Sequence, residues 1–140
     1  MFRVVTDTIR LKTGREMQIE DITGKVEERL KASKLSDGTV TVFVPGATGA
    51  VTTVEYEPGL VSDLEEAFEK VAPRHQEYGH NARWGDGNGH AHVRASLLGP
   101  GLTVPFSAGQ MILGTWQQII FVDFDPPARA REIVLQFMGT

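Results

Sequence analysis

The feature that most constrains the fold is a run of closely spaced strand-like segments in the second half of the chain. Short turns that contain glycine or proline separate these segments. Parallel neighbours would need crossover connections of a dozen or more residues, and most of these connections are much shorter. The sequence therefore predicts mostly antiparallel pairing among the segments HAHVRASLL, LTVPF, MIL, TWQQIIFVDF and REIVLQFMG.

The first half of the chain adds further strands and two helices. FRVVTDTIRLKT, GTVTVFVP and GAVTTVEYE are strand-like, and GRE is typical of a turn into another short strand. Four-residue spacing of Ile22, Val26 and Leu30 predicts an amphipathic helix. A second helix is predicted to begin at Pro58 and to bury a stripe made of Leu60, Leu64, Phe68 and Val71.

Together these patterns predict one α+β domain over residues 1–140. Two helices accompany a mostly antiparallel sheet. Residues 74–89 show no periodicity and contain several glycines, which is typical of a functional loop.

Composition narrows the classes of function. The formal net charge of −4 argues against a general binder of nucleic acid or of membrane surfaces. The chain has no cysteine, which excludes thiolate metal sites and cysteine nucleophiles. No apolar stretch approaches the roughly 20 residues that cross a bilayer, and no signal peptide is apparent, so we expect a cytoplasmic protein.

The segment DGNGHAHVRASLLG, residues 86–99, places polar side chains at every second position. A strand over residues 90–98 would carry two different faces, because side chains alternate along a strand. The predicted core face consists of Ala91, Val93, Ala95 and Leu97. The opposite face would carry His90, His92, Arg94 and Ser96.

Two imidazoles on one strand face can bind the same divalent ion. His80 lies just upstream, so His80, His90 and His92 form a candidate three-histidine site for a divalent metal, zinc or magnesium. Asp86 is a candidate ligand, orienting residue or general base, and Asn88 is a candidate contact to a substrate oxygen. The alternative is that these histidines are solvated and that DGNG is an ordinary turn.

Arginines supply a second candidate chemistry. Arg94 shares the predicted histidine face and would favour a bound anion over a metal there. Arg129 and Arg131 are two residues apart, and their guanidinium forks suit phosphate groups. The alternative is a salt bridge between subunits to Asp123 or Asp125.

A further segment, GTWQQI, predicts another ligand contact. It places Thr115 and Gln117 on one strand face, where Gln117 is a candidate hydrogen-bonding partner of a ligand. Trp116 on the other face is more typical of packing.

The segments GHNARWGDGNGHAHVRASLLG and GQMILGTWQQIIFVDFDPPARAR resemble the YjbQ-type family of small proteins. The resemblance implies a compact α/β sandwich that assembles as a homotrimer, with its pocket near subunit contacts. It also implies an activity like that of a secondary thiamine-phosphate synthase, which joins a pyrimidine diphosphate to a thiazole phosphate and releases pyrophosphate.

The resemblance extends to two positions in the first half of the chain. Glu55 matches an acidic position of the family and is a candidate site carboxylate. Many members have PHTTA where this chain has PGATG, so Gly46 stands in place of the family histidine.

Three functions follow from these residues. The first is an enzyme that acts on a small phosphorylated substrate, with Asp86, His92 and Glu55 as catalytic residues and Asn88, Arg94, Gln117, Arg129 and Arg131 as substrate contacts. The second is a metal-dependent hydrolase that uses the three histidines. The third is a trimer without catalytic activity that binds a small anion or a metal.

Overall fold

Strands of the first sheet come from both ends and the middle of the chain. The computed structural model describes residues 1–14 and 17–140. The sheet is antiparallel in the order β1-β8-β3-β5-β6, so the two long terminal strands pair along their whole length. Its strands are β1 (Arg3–Thr13), β3 (Gly38–Phe43), β5 (Gly101–Ser107), β6 (Gln110–Met111) and β8 (Arg129–Gly139).

A second antiparallel sheet has the order β2-β7-β4, with β2 (Gln18–Asp21), β7 (Gln118–Asp123) and β4 (Gly49–Val54). The central strand β7 is buried on both faces. Ile119 and Phe121 point into the core shared with the first sheet, and Ile120 and Val122 point into a second core beneath the helices. The three-stranded sheet is therefore the middle layer of the molecule. This arrangement confirms the predicted α+β class with antiparallel sheets.

Two of the helices match the predicted ones. In α1 (Thr23–Ser33), Val26 and Leu30 are buried in the first core as predicted. In α2 (Pro58–Val71), the Glu57 carboxylate accepts hydrogen bonds from the backbone at the start of the helix. Its apolar stripe is only half-buried, and Val71 is mainly exposed, because this helix covers the outside of the second core.

The prediction of a strand over residues 90–98 is wrong, since Gly89–Leu98 is a helix, α4. Ala91 and Ala95 pack on the three-stranded sheet, whereas Val93 and Leu97 of the predicted core face are exposed. Alanine, leucine and arginine favour helices, and this segment has a single β-branched residue. Alternation of small and polar residues over so few positions does not distinguish the two periods.

Two smaller expectations also change. The 74–89 loop contains a short helix, α3 (Gly79–Trp84). Strand β7 begins at Gln118, so Thr115 and Gln117 precede it and do not share a strand face. Of the predicted GRE turn, residues 15 and 16 lie outside the described residues. Over the described ranges, no helix is long and apolar enough to span a membrane.

A close approach between the two shorter helices generates the first prediction. The Gly89 amide donates to Asn81 Oδ1 at 2.8 Å, and a Cβ at Gly89 would lie 2.6 Å from the Cβ of Tyr78. We expect Gly89→Ala to lower the free energy of unfolding by about 1–3 kcal/mol, measured by urea denaturation. Gly24→Ala in α1 is the control, because its Cβ meets nothing within 4 Å. Equal stability of the two variants would contradict this packing.

Candidate functional site

A buried ion pair lies where β7 and β8 meet. Asp123 ends β7 and is fully buried, and Arg131 donates to both of its carboxylate oxygens, at 3.1 Å from Nε and 2.7 Å from Nη2. Thr13 of β1 donates to the same carboxylate at 2.6 Å. Burial by itself would raise the pKa of Asp123, but the hydrogen bonds from Arg131 and Thr13 outweigh it and hold the pKa below its ordinary value.

A second buried carboxylate, Asp125, lies beside the first. It pairs with Arg129 at 2.7 Å and accepts a hydrogen bond from the Thr48 hydroxyl at 3.1 Å. The Thr48 oxygen also accepts a hydrogen bond from Arg131 at 2.8 Å. Thr48 therefore connects the two ion pairs into one network. Nearly half of the Arg129 side chain remains exposed, whereas that of Arg131 is 11% exposed.

The side-chain amide of Asn88 lies between two carboxylates. In one orientation its nitrogen is 3.4 Å from Asp125 Oδ1, and in the reversed orientation the amide donates to Asp86 at 2.9 Å. The reversed orientation satisfies both ends of the amide better. The two hydrogen bonds belong to opposite orientations, so Asn88 donates to only one of these carboxylates while lying between the ion-pair network and the loop that carries Asp86.

Two histidines face each other at the junction of α3 and α4. The rings of His80 and His92 have centroids 4.3 Å apart, and His80 Nδ1 lies 3.3 Å from Asp86 Oδ1. Burial and the neighbouring His80 lower the pKa of His92, against the opposing effect of the Asp125 and Asp86 carboxylates. His92 is therefore neutral at pH 7 and able to accept a proton.

Two other polar residues of α4, His90 and Arg94, lie elsewhere. On a helix, residues two apart point in directions about 200° apart, so His90 and His92 do not share a face. His90 is completely buried. Arg94, one turn further along, is also buried; it donates to the Ala72 carbonyl at 2.9 Å and pairs with Glu69 at 2.8 Å. The predicted common face of His90, His92 and Arg94 is wrong, and Arg94 joins α4 to α2.

Glu55 and Gln117 lie at the opposite end of the three-stranded sheet. Gly49 pairs with Asp123 at one end of the β4–β7 ladder, and Val54 pairs with Gln118 at the other. Glu55 is exposed just beyond that second end, and Gln117 donates to Thr53 Oγ1 at 3.1 Å. Within one chain, these residues are separated from the histidines by the length of the strand.

The described residues contain no group of three histidine, aspartate or glutamate side chains placed to hold a metal ion. The structure brings together His80 and His92 of the predicted ligands, with Asp86 beside them. Because a typical catalytic zinc site needs three protein ligands, this arrangement does not fit a preformed zinc site. The catalytic and substrate-binding roles given to the other residues remain predictions.

Sequence reasoning missed Thr13 and Thr48, and treated Asp123 and Asp125 only as partners across a subunit contact. Both ion pairs instead form within the chain. One available signal was the segment DFD after the buried run QIIFV, because carboxylates flanking a buried phenylalanine at a strand end need cationic partners nearby. The threonines carried no such signal.

Comparison with known proteins gives a consistent result. Residues 7–140 match the family model described as UPF0047 protein YjbQ-like. A UPF0047 protein of Archaeoglobus fulgidus is 40% identical over 126 residues, covering 90% of this chain and 96% of the relative. One from Methanothermobacter thermautotrophicus is 41% identical, covering 91% and 88% of the two chains.

Solved structures agree over the whole length. A YbjQ-like protein of unknown function from Sulfolobus solfataricus is similar with a TM-score of 0.95 at 31% identity, covering 100% of both chains. A hypothetical protein from Aeropyrum pernix has a TM-score of 0.91 at 37% identity, covering 97% of this chain and 99% of the other.

The buried ion pair generates the second prediction. Arg131→Met leaves the Asp123 carboxylate buried without its cation, so we expect the free energy of unfolding at pH 7 to fall by about 3 kcal/mol. The deficit should shrink as the pH falls from 7 to 4. Without the cation, burial raises the pKa of Asp123, so the carboxyl takes up a proton at a higher pH than in the wild type. Urea denaturation across this pH range measures both effects.

Arg10→Met is the matched control. Arg10 lies 3.4 Å from Glu132, but both side chains are mainly exposed. We expect its effect on the free energy of unfolding to stay within about 0.5 kcal/mol at every pH. Equal losses in the two arginine variants would show that the Asp123 pair does not stabilise the fold in this way.

Proposed function

The chain belongs to the YjbQ-like UPF0047 family, and from that premise we propose that it is an enzyme acting on a small phosphorylated molecule at the site around His92. The observation that carries the proposal is that the His92 and His80 rings pack together beside Asp86, in the electrostatic range of Asp125, whose carboxylate holds the half-exposed guanidinium of Arg129. A candidate base and a candidate anion-binding cation thus lie near the same carboxylate.

Arg129 is the proposed phosphate ligand. Its bond to Asp125 at 2.7 Å orients the guanidinium, and nearly half of the side chain remains accessible to a ligand. A guanidinium presents parallel N–H donors that match phosphate oxygens. Arg131 is engaged with Asp123 and Thr48 and is nearly buried, so its proposed role is to position this network.

His92 is the proposed general base, and Asp86 is proposed to orient the neighbouring His80. The Asp86 carboxylate contacts His80 Nδ1, and the His80 ring packs against that of His92. Because its pKa is lowered, His92 is available in the unprotonated form that a general base requires. Asn88, between Asp86 and Asp125, is the proposed contact to an oxygen of the substrate.

The resemblance suggests one specific reaction, the formation of thiamine phosphate. In that reaction the thiazole nitrogen forms a C–N bond to the pyrimidine methylene while the C–O bond to the diphosphate breaks. Pyrophosphate leaves with the electron pair, so the site must supply positive charge to the leaving group, which Arg129 would provide. If the phosphoryl group is instead transferred to water, the attacking water must lose a proton, and His92 would accept it.

The metal-dependent hydrolase is the alternative, and one observation bears on it: the imidazoles of His80 and His92 lie together. They would supply two nitrogens, but the described residues place no group of three ligands to hold a metal ion there, so the metal-free enzyme is the better supported of the two. A non-catalytic protein that binds an anion would use Arg129 alone.

A homotrimer is the proposed assembly, with the small phosphorylated substrate as the partner molecule. Glu55 and Gln117 lie too far along the sheet to join His92 of their own chain. In a ring of copies, they would complete the site of a neighbour. Light scattering after gel filtration should give three times the mass of one chain, and a monomer would overturn this assembly.

The third prediction concerns His92. We expect His92→Gln to lower the turnover of the phosphate ester hydrolysed fastest in a substrate panel by 100-fold or more, with an unchanged melting temperature. His75→Gln is the control, because His75 is exposed on the loop before α3. In the wild type, kcat/KM for this hydrolysis should fall in acid, with a midpoint below that of an ordinary histidine, since protonation of His92 removes the base. Full activity of His92→Gln would contradict the proposal.

The same preparations separate the alternatives. Zinc near one equivalent per chain, lost in both His80→Ala and His92→Ala, would favour the metal-dependent hydrolase. Binding of inorganic phosphate that Arg129→Ala abolishes, without turnover of any panel substrate, would favour the anion-binding protein. Turnover without a metal supports the enzyme proposed above.

A further inference from the structure

We propose that Trp84 is the surface on which a planar heteroaromatic part of the substrate stacks. The inference rests on the proposed function and extends it, because it names the class of phosphorylated molecule that the site accepts. Trp84 was not among the residues that the sequence singled out.

The position of Trp84 on α3 links it to the histidines. His80 and Trp84 are four residues apart on one helix, so they lie on the same face, about 5–6 Å apart at Cβ. The His80 ring packs against His92. A ligand in contact with His92 therefore has an indole ring one helical turn away.

The surroundings of Trp84 hold the indole in place while leaving it accessible. The Arg83 guanidinium lies 5.3 Å from the ring centroid, a cation–π contact. Gly85 ends the helix in a left-handed conformation, with φ of +70°, and its amide donates to the Asn81 carbonyl at 2.7 Å. Trp84 is nevertheless 66% exposed, so a ring surface remains available to a ligand.

Placement distinguishes this tryptophan from the other one. Trp116 is 71% exposed, but it lies in the turn before β7, at the end of the sheet opposite the histidines. Single exposed apolar side chains are common on protein surfaces. Trp84 differs because His80 lies one turn before it on the same helix, with the His92 ring and Asp86 beside His80.

Stacking has a recognisable energetic signature. Loss of an aromatic partner weakens the binding of a nucleobase by about 5- to 150-fold. The phosphate, bound by Arg129, should be insensitive to that loss. The ring and the phosphate can therefore be tested separately.

The experiment uses a Trp116→Phe background, in which Trp84 is the only tryptophan. Adenosine 5′-phosphate, cytidine 5′-phosphate, ribose 5-phosphate and inorganic phosphate are titrated by calorimetry and by tryptophan fluorescence. We expect at least one of the two nucleotides to quench Trp84 and to bind at least tenfold more tightly than ribose 5-phosphate.

Variants of Trp84 supply the controls. Trp84→Ala should reduce nucleotide affinity to that of ribose 5-phosphate and leave the affinity for inorganic phosphate unchanged. Trp84→Phe, which retains a smaller aromatic face, should keep most of the preference. Light scattering of each variant checks that its mass is unchanged.

Each contrary outcome has a distinct meaning. If phosphate compounds bind but neither nucleotide is preferred, the stacking surface is overturned and the proposed function stands. If no phosphate compound binds, and Arg129→Ala changes nothing, both proposals fail. If Trp84→Ala changes the mass of the particle, Trp84 is a contact between copies and the inference is overturned.

Discussion

The buried pair of Asp123 and Arg131 is the interaction on which the rest of the structure depends. An ionised carboxylate at the end of the most buried strand is tolerated only because Arg131, Thr13 and the Asp125 amide all donate to it. These donors come from β1, β8 and the segment after β7. One carboxylate therefore fixes the relative positions of both sheets at the end of the molecule where the candidate site lies.

The side chains of α4 point to two sides of the helix, and the two sides have different roles. The small side chains of Ala91 and Ala95 let it approach the three-stranded sheet closely, which buries His90 and Arg94 on the inner side. His92 points the other way, towards His80. Residues two apart lie on the same face of a strand but on opposite sides of a helix. The sequence pattern alone therefore could not show this division. The sequence identified these polar residues, but the role that it assigned to His90 and Arg94 assumed the two-residue period of a strand instead of the period of a helix.

Antiparallel pairing, α1 and α2 could all be predicted, because they depend on local patterns of apolar and turn-forming residues. Of the candidate site, the proximity of His80, Asp86 and His92 followed from their closeness in the sequence. Three features could not. The register of β4 against β7 places Glu55 away from His92, and register depends on contacts between distant segments. The connection of the two ion pairs through Thr48 depends on the same register. The third is α3, which places Trp84 one helical turn after His80; the glycines of the surrounding segment 74–89 concealed this helix.

Burial assigns different roles to the two arginines that the sequence treated alike. Arg131 is nearly enclosed, so its charge stabilises Asp123, whereas Arg129 keeps a large exposed surface while holding Asp125. Asp125 in turn opposes the burial that lowers the pKa of His92. The half-exposed arginine is therefore the one proposed to bind phosphate, and the enclosed arginine is the one whose loss should destabilise the fold.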